Sequence, residues 1–226
     1  MAETADQPGA LFTVPCWKYF LSDMTRFHAE MAQDVTESLE RDAALPDSDR
    51  FLAHQTRSDP FLLPSDGWKL LAEHINGRFA AILAQNLQRW RDGEFHLRRW
   101  AIRLGRLSRE EKDRLRDHGV HNHTPALLSC IYYLQIPDEL ADRPEGGTNF
   151  INPLTSNLDL LMPRSVTLPP KEGMLFIFPS FIDHSPVPVE WDAVDSPRIV
   201  LSCDAYFING RSSSSSDRVS VVPSSA

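Results

Sequence analysis

Near residue 93 the hydrophobic period of this chain changes from about 3.6 to 2, and few architectures accommodate both halves. Upstream, Phe20, Met24, Phe27, Met31, Val35 and Leu39 recur at spacings of three and four. That stripe predicts a helix from Trp17 to about Ala44, closed by Pro46. Trp68, Leu71, Ile75, Phe79, Ile82 and Leu83 form a second stripe, which predicts a helix running to about Trp90 with Ser65 or Asp66 as its N-cap. Ahead of both, Leu11–Cys16 (LFTVPC) is β-prone and suits a sheet edge, with Pro15 limiting its length. Downstream, Glu94–Leu104 alternates apolar and polar residues as a half-buried strand does. Further strands are expected at Leu127–Ile136, Gly147–Ile151, Ser165–Leu168, Gly173–Phe178, Val187–Trp191 and Ile199–Phe207, separated by turns bearing proline and glycine. Ser108–His118 interrupts this series as a short charged helix, Ser108 and Glu111 standing at capping-box spacing. Short strands after a helical half predict a mainly β fold, a sandwich or barrel with two long helices on one face.

The domain boundaries follow from the same pattern. Residues 1–10 form a flexible leader, 11–92 an edge strand and supporting helices, and 93–210 a β core; 11–210 make one folded domain. The tail RSSSSSDRVSVVPSSA, 211–226, has too little apolar surface to fold. A chain of 226 residues buries enough surface to fold without staples. Its three scattered cysteines make no disulfide framework and no C-x-x-C site. Neither a signal peptide nor an apolar run of membrane-spanning length is present, so a cytoplasmic location with no membrane partner is expected. A net charge of −8 argues against nucleic acid as a partner, since such binding depends on neutralising phosphates. Oligomeric state has no signal in the sequence.

Of the eight histidines, His28, His54, His74 and His96 stand alone, and His118 lies in the charged helix. His121 and His123 differ: residues i and i+2 of a strand leave the same face, so both can aim at one point. His184, in the turn after an apolar strand, can supply a third ligand. Three ligands on one face with open positions opposite is how non-haem Fe(II) oxygenases hold their metal, usually through two histidines and a carboxylate. Spacing alone yields a candidate metal site and no more. Ser180 lacks a G-x-S-x-G elbow, and Gly146-Gly147 precedes no helix, so neither a serine hydrolase nor a phosphate cradle is indicated.

The flanking residues carry a resemblance. His121-Asn-His-Thr-Pro-Ala-Leu-Leu-Ser-Cys-Ile-Tyr-Tyr-Leu134 resembles the segment H-x-H-P-x-S-x-L-S-G-V-Y-Y-L of a family of small 2-oxoglutarate- and Fe(II)-dependent oxygenases. Its Cys-Ile-Tyr-Tyr-Leu core is similar to a strand of the oxygen-sensing prolyl hydroxylases. Pro170-Lys-Glu-Gly-Met-Leu-Phe-Ile-Phe-Pro-Ser-Phe-Ile-Asp-His184 resembles P-x-E-G-x-L-x-L-F-P-S-W-L-x-H, and Pro197-Arg198-Ile-Val-Leu-Ser202 the closing R-I-S-x-S-F-N. The resemblance spans most of residues 11–208.

It implies a double-stranded β-helix, a jelly-roll or cupin-like barrel, with Fe(II) at its open end. The implied metal ligands are His121, His123 and His184. Arg198 would grip the C5 carboxylate of 2-oxoglutarate, which a guanidinium does with two parallel hydrogen bonds; Tyr133 and Ser202 would stand beside it. O2 and 2-oxoglutarate are the implied co-substrates, and the reaction is hydroxylation of a small molecule, amino acid or peptide side chain, with release of succinate and CO2. Two features of this sequence carry weight. Val200 replaces a serine, and His123 stands where most relatives in the wider superfamily have a carboxylate, which leaves the iron one unit more positive. Asp183 and Asp117 are alternative carboxylates, although neither fits the i, i+2 geometry. Two other readings remain open: a three-histidine iron dioxygenase that uses no 2-oxoglutarate, and a non-catalytic cupin-like metal-binding module.

Overall fold

A computed structural model describes residues 13–45, 54–86, 94–105, 119–154, 163–208 and 218–220. The expected leader, the Ser108–His118 helix with His118 and Asp117, and most of the expected tail lie outside the described residues. In chain order come strand β1 (Trp17–Phe20), helix α1 (His28–Ala43), helix α2 (Asp66–Asn86), then β2 (Glu94–Leu104), β3 (Leu128–Gln135), β4 (Thr148–Ile151), β5 (Ser165–Leu168), β6 (Met174–Pro179), β7 (His184–Pro186), β8 (Arg198–Ile208) and β9 (Arg218–Ser220). They form two sheets, a six-stranded one in the order β1-β6-β3-β8-β2-β9 and a three-stranded one in the order β5-β4-β7. Every pairing is antiparallel.

Alternation along the strands of the large sheet builds two cores. Ile199, Leu201, Cys203 and Ala205 of β8 pack with Cys130, Tyr132 and Leu134 of β3 against Met31 and Val35 of α1 and Trp68, Leu71, Ile75 and Phe79 of α2. Residues one step along point the other way. Ile131, Tyr133, Phe178 and Val200 form a second core, on which Phe150 of β4 and Leu168 of β5 pack from the small sheet. Strand β3 is therefore apolar on both faces, as a central strand covered on both sides must be. The helices meet closely at Gly67, where a Cβ would come within 2.9 Å of Phe27 Cβ. The Trp68 indole donates to Asp34 across the same contact at 2.7 Å.

Three expectations need correction. Trp17–Phe20 is a strand and not the start of a helix; Ser22–Phe27 forms a 3-10 turn and the α-helix proper begins at His28. The aromatic alternation of Trp17 and Tyr19 suits an edge strand on β6, and the Leu21 amide closes that pairing on Gly173 O at 2.9 Å. The edge strand thus lies beyond Leu11–Cys16, of which residues 13–16 carry no strand. Val187–Trp191 is likewise not a strand; Pro188 within it has no N–H to donate to a ladder. Pairing there is made upstream by β7.

Candidate metal centre

His184 opens β7, pairing with Phe150 of β4, where the sequence placed it in a turn. His121 belongs to no named strand. It forms a single antiparallel bridge with His184, the two amides and carbonyls exchanging hydrogen bonds of 3.0 and 2.8 Å. Two residues on, the His123 amide donates to Ser180 O at 2.9 Å. This short extended run keeps the i, i+2 relation without a full strand. The ring centroids of His121, His123 and His184 are 5.2, 4.6 and 5.0 Å apart pairwise, and one nitrogen of each ring lies within 4.8 Å of the others.

Each ring is held by its Nδ1. His121 Nδ1 is 2.8 Å from Gly119 O, His184 Nδ1 is 3.0 Å from Ile182 O, and His123 Nδ1 is 2.8 Å from Asp204 Oδ1. Donation from Nδ1 leaves Nε2 as the lone-pair nitrogen of each ring, the usual second-sphere arrangement behind a metal-binding histidine. Burial pushes His184 down to about 4, so the ring is neutral at physiological pH, the form that ligates. Phe178 stands edge-on to His184 at 5.0 Å and Trp100 stacks on His123 at 5.6 Å. The donor set and its backing fit a divalent metal.

The histidines open into a cavity of about 380 Å³. Arg198, Val200, Ser202, Asp204 and Tyr206, alternate residues of β8, all line it. Arg198 is only 3 % exposed. Its guanidinium sits over the Tyr133 ring, 5.5 Å from the centroid, and its Nε has no hydrogen-bond partner. Among the described residues no carboxylate pairs with it. Burial pushes the Tyr133 phenol up, the Arg198 charge opposing, and its hydroxyl is 2.8 Å from Thr148 Oγ1. Thr148 is delivered to that spot by the turn at Gly146, whose φ of +73° favours glycine. A buried cation with an unsatisfied donor is costly unless an anion meets it.

Five of the six residues singled out from the sequence, His121, His123, His184, Arg198 and Ser202, line this one cavity; Tyr133 does not line it, being fully buried beneath Arg198 with its hydroxyl on Thr148, which does. Asp183 instead accepts from Asn122 at 2.8 Å. Sequence reasoning missed Asp204, Thr148 and Trp100. Asp204 was within reach, since it continues the series Arg198, Val200, Ser202 on one face of β8. Thr148 and Trp100 carry no signal apart from their places in strands.

Residues 109–204 match a family described as "Putative 2OG-Fe(II) oxygenase". No curated protein matches the sequence. Among solved structures, a prolyl-4-hydroxylase from Pseudomonas putida is similar over 85 % of this chain and 92 % of its own, at 13 % identity and a TM-score of 0.54. AviO1 from Streptomyces viridochromogenes Tue57 is similar over 85 % of this chain and 89 % of its own, at 10 % identity and a TM-score of 0.52. At such identities the likeness speaks for the fold, the double-stranded β-helix, while the family match and the histidine cluster speak for the chemistry. Residues 109–204 thus match the domain of a 2OG-Fe(II) oxygenase family, whose enzymes use Fe(II), 2-oxoglutarate and O2.

Proposed function

We propose that the protein is an Fe(II)- and 2-oxoglutarate-dependent hydroxylase of a small molecule, amino acid or peptide side chain. His121, His123 and His184 hold the iron, and Arg198, Tyr133 and Ser202 receive the co-substrate. The observation that carries the reading is Arg198, a buried cation lacking a carboxylate partner in a cavity shared with three convergent histidines. A dicarboxylate would suit this lining: the guanidinium would receive one carboxylate while the histidines hold the metal. When bound, iron and 2-oxoglutarate activate O2, the co-substrate leaving as succinate and CO2 while one oxygen atom is delivered to a substrate C–H bond.

The chain's own residues do the positioning. Neutral imidazoles offer their lone pairs, each ring locked through Nδ1. Arg198 would meet the distal carboxylate with charge-assisted hydrogen bonds, and the buried Tyr133 hydroxyl, 2.8 Å from Thr148 Oγ1, would add one. Val200 presents a methyl face where a hydroxyl would add another. Ile102, Ile131 and Val200 make this part of the cavity apolar and limit water. Gln55, Asn122, Thr124 and Tyr206 also line the cavity and offer polar contacts to a substrate. We take 11–210 as one folded unit, a boundary supported by the core that joins both helices to the large sheet.

The test is 2-oxoglutarate turnover. Fe(II)-loaded protein in air should convert 2-oxoglutarate to succinate, and Arg198→Ala should abolish this at sub-millimolar co-substrate. Oxygen consumption that is independent of 2-oxoglutarate and untouched by Arg198→Ala would overturn the proposal in favour of a site that takes its substrate directly.

A further inference from the structure

Three neutral imidazoles bring no charge to a metal, whereas two histidines and a carboxylate bring one. The carboxylate nearest to making up the difference is Asp204, only 2 % exposed. Its Oδ1 accepts from His123 Nδ1 at 2.8 Å and from Ser129 Oγ at 2.6 Å, and its Oδ2 from the Tyr206 hydroxyl at 3.3 Å. The Nδ1 acceptors of His121 and His184 are neutral main-chain carbonyls, so of the three acceptors Asp204 is the charged one. Ser129 also reaches Ser180 Oγ at 2.8 Å, and Ser180 O in turn receives the His123 amide. The carboxylate is thus tied into the same frame that holds His123.

We propose that Asp204 is the displaced carboxylate of this metal centre, a positioning residue that acts through His123. It fixes the Nδ1–H tautomer and supplies, one hydrogen bond away, the negative charge that the three ligands lack. The inference rests on the reading of His121, His123 and His184 as iron ligands. A single strand then furnishes both charges of the cavity: Arg198 opens β8 on the co-substrate side, and Asp204 lies three alternations further along the same face, behind the metal. The departure at His123 is compensated within the chain, because an imidazole hydrogen-bonded to a buried carboxylate is a stronger donor than one bonded to a carbonyl.

Asp204→Asn is a clean perturbation. With its carbonyl in the Oδ1 position the amide still accepts from His123 and Ser129, so those two hydrogen bonds persist while the charge goes, and the Tyr206 hydroxyl loses its acceptor at Oδ2. Anaerobic titration should find Fe(II) bound about 10–100-fold more weakly than by wild type. The visible charge-transfer band of the Fe(II)–2-oxoglutarate complex should move to shorter wavelength, since a less electron-rich iron gives up electron density less readily. Ser129→Ala removes a hydrogen bond to the same carboxylate but leaves the charge; it should stay within about threefold of wild type with the band unmoved. His123→Asp/Asp204→Asn, which moves the carboxylate onto the metal, should bind Fe(II) more tightly than Asp204→Asn and return the band towards longer wavelength. An Asp204→Asn protein equal to wild type in both readouts, a Ser129→Ala protein that matches Asp204→Asn, or a double variant that restores nothing would overturn the inference while leaving the iron site in place. A wild-type protein that binds no Fe(II) would overturn both.

Discussion

Replacing Arg198 by methionine should stabilise the protein without its ligands and end its response to 2-oxoglutarate. The guanidinium is 3 % exposed, lies over the Tyr133 ring, and has no carboxylate within ion-pair reach among the described residues. Burying an ion costs several kcal/mol after relaxation, and exchanging buried charge for a well-packed apolar group is neutral or stabilising by about 1–4 kcal/mol. The contact with Tyr133 returns on the order of 1–2 kcal/mol. A net gain of about 1 kcal/mol is therefore expected for Arg198→Met, or a Tm higher by roughly 2–4 °C in a chain of this size. With 2-oxoglutarate present the order should reverse. At a ligand concentration 100 times Kd wild type gains about 2.7 kcal/mol, whereas the variant loses a two-bond charged contact worth about 3–6 kcal/mol and gains next to nothing. Thermal denaturation across a 2-oxoglutarate titration, with Mn(II) as a redox-silent metal, reads both effects at once. The reasoning is refuted if Arg198→Met is less stable than wild type without ligand, or if 2-oxoglutarate raises both Tm values equally.

Other consequences are equally direct. Metal-free protein should lose stability in acid: burial holds His184 at about 4 and lowers His28, so between the ordinary histidine value near 6.5 and the folded values the unfolded chain binds more protons. Stability then falls as pH drops through that window, by up to about 1.4 kcal/mol per unit for each histidine, and urea denaturation from pH 7 to 4.5 measures it; a flat profile would contradict their burial. Val200→Ser should tighten 2-oxoglutarate binding by up to about tenfold, one hydrogen bond's worth, as read by calorimetry with Mn(II); unchanged affinity would mean that the co-substrate does not reach that wall. Gly67→Leu should cost about 1–3 kcal/mol in chemical denaturation, because its Cβ alone would come within 2.9 Å of Phe27 Cβ. Its metal affinity should be unaltered, since the clash lies in the helix layer.

How far the sequence could be read depended on how local each signal was. Periodicity located α2 and most strands because each buries a regular face of its own residues. It misplaced Trp17–Phe20 because Phe20 and Met24 continue the spacing of α1, while the strand forms only once β6 offers an edge 154–160 residues away. The i, i+2 histidines were legible since alternation survives even in the one-residue bridge of His121 to His184. Arg198 and Tyr133 were singled out by resemblance; in the structure they gain a physical reason, a buried cation over a ring. Asp204 shows the limit most plainly. Its place on β8 could be read from alternation, but its bond to His123 spans 81 residues and exists only in three dimensions.

The most direct measurement is an anaerobic titration of the apo-protein with Fe(II) and then 2-oxoglutarate, followed by visible absorption. A charge-transfer band should appear at one iron and one 2-oxoglutarate per chain, vanish in His184→Ala and need far more 2-oxoglutarate in Arg198→Ala. Iron bound at full stoichiometry with no band on addition of 2-oxoglutarate would contradict the assignment of the cavity to that co-substrate.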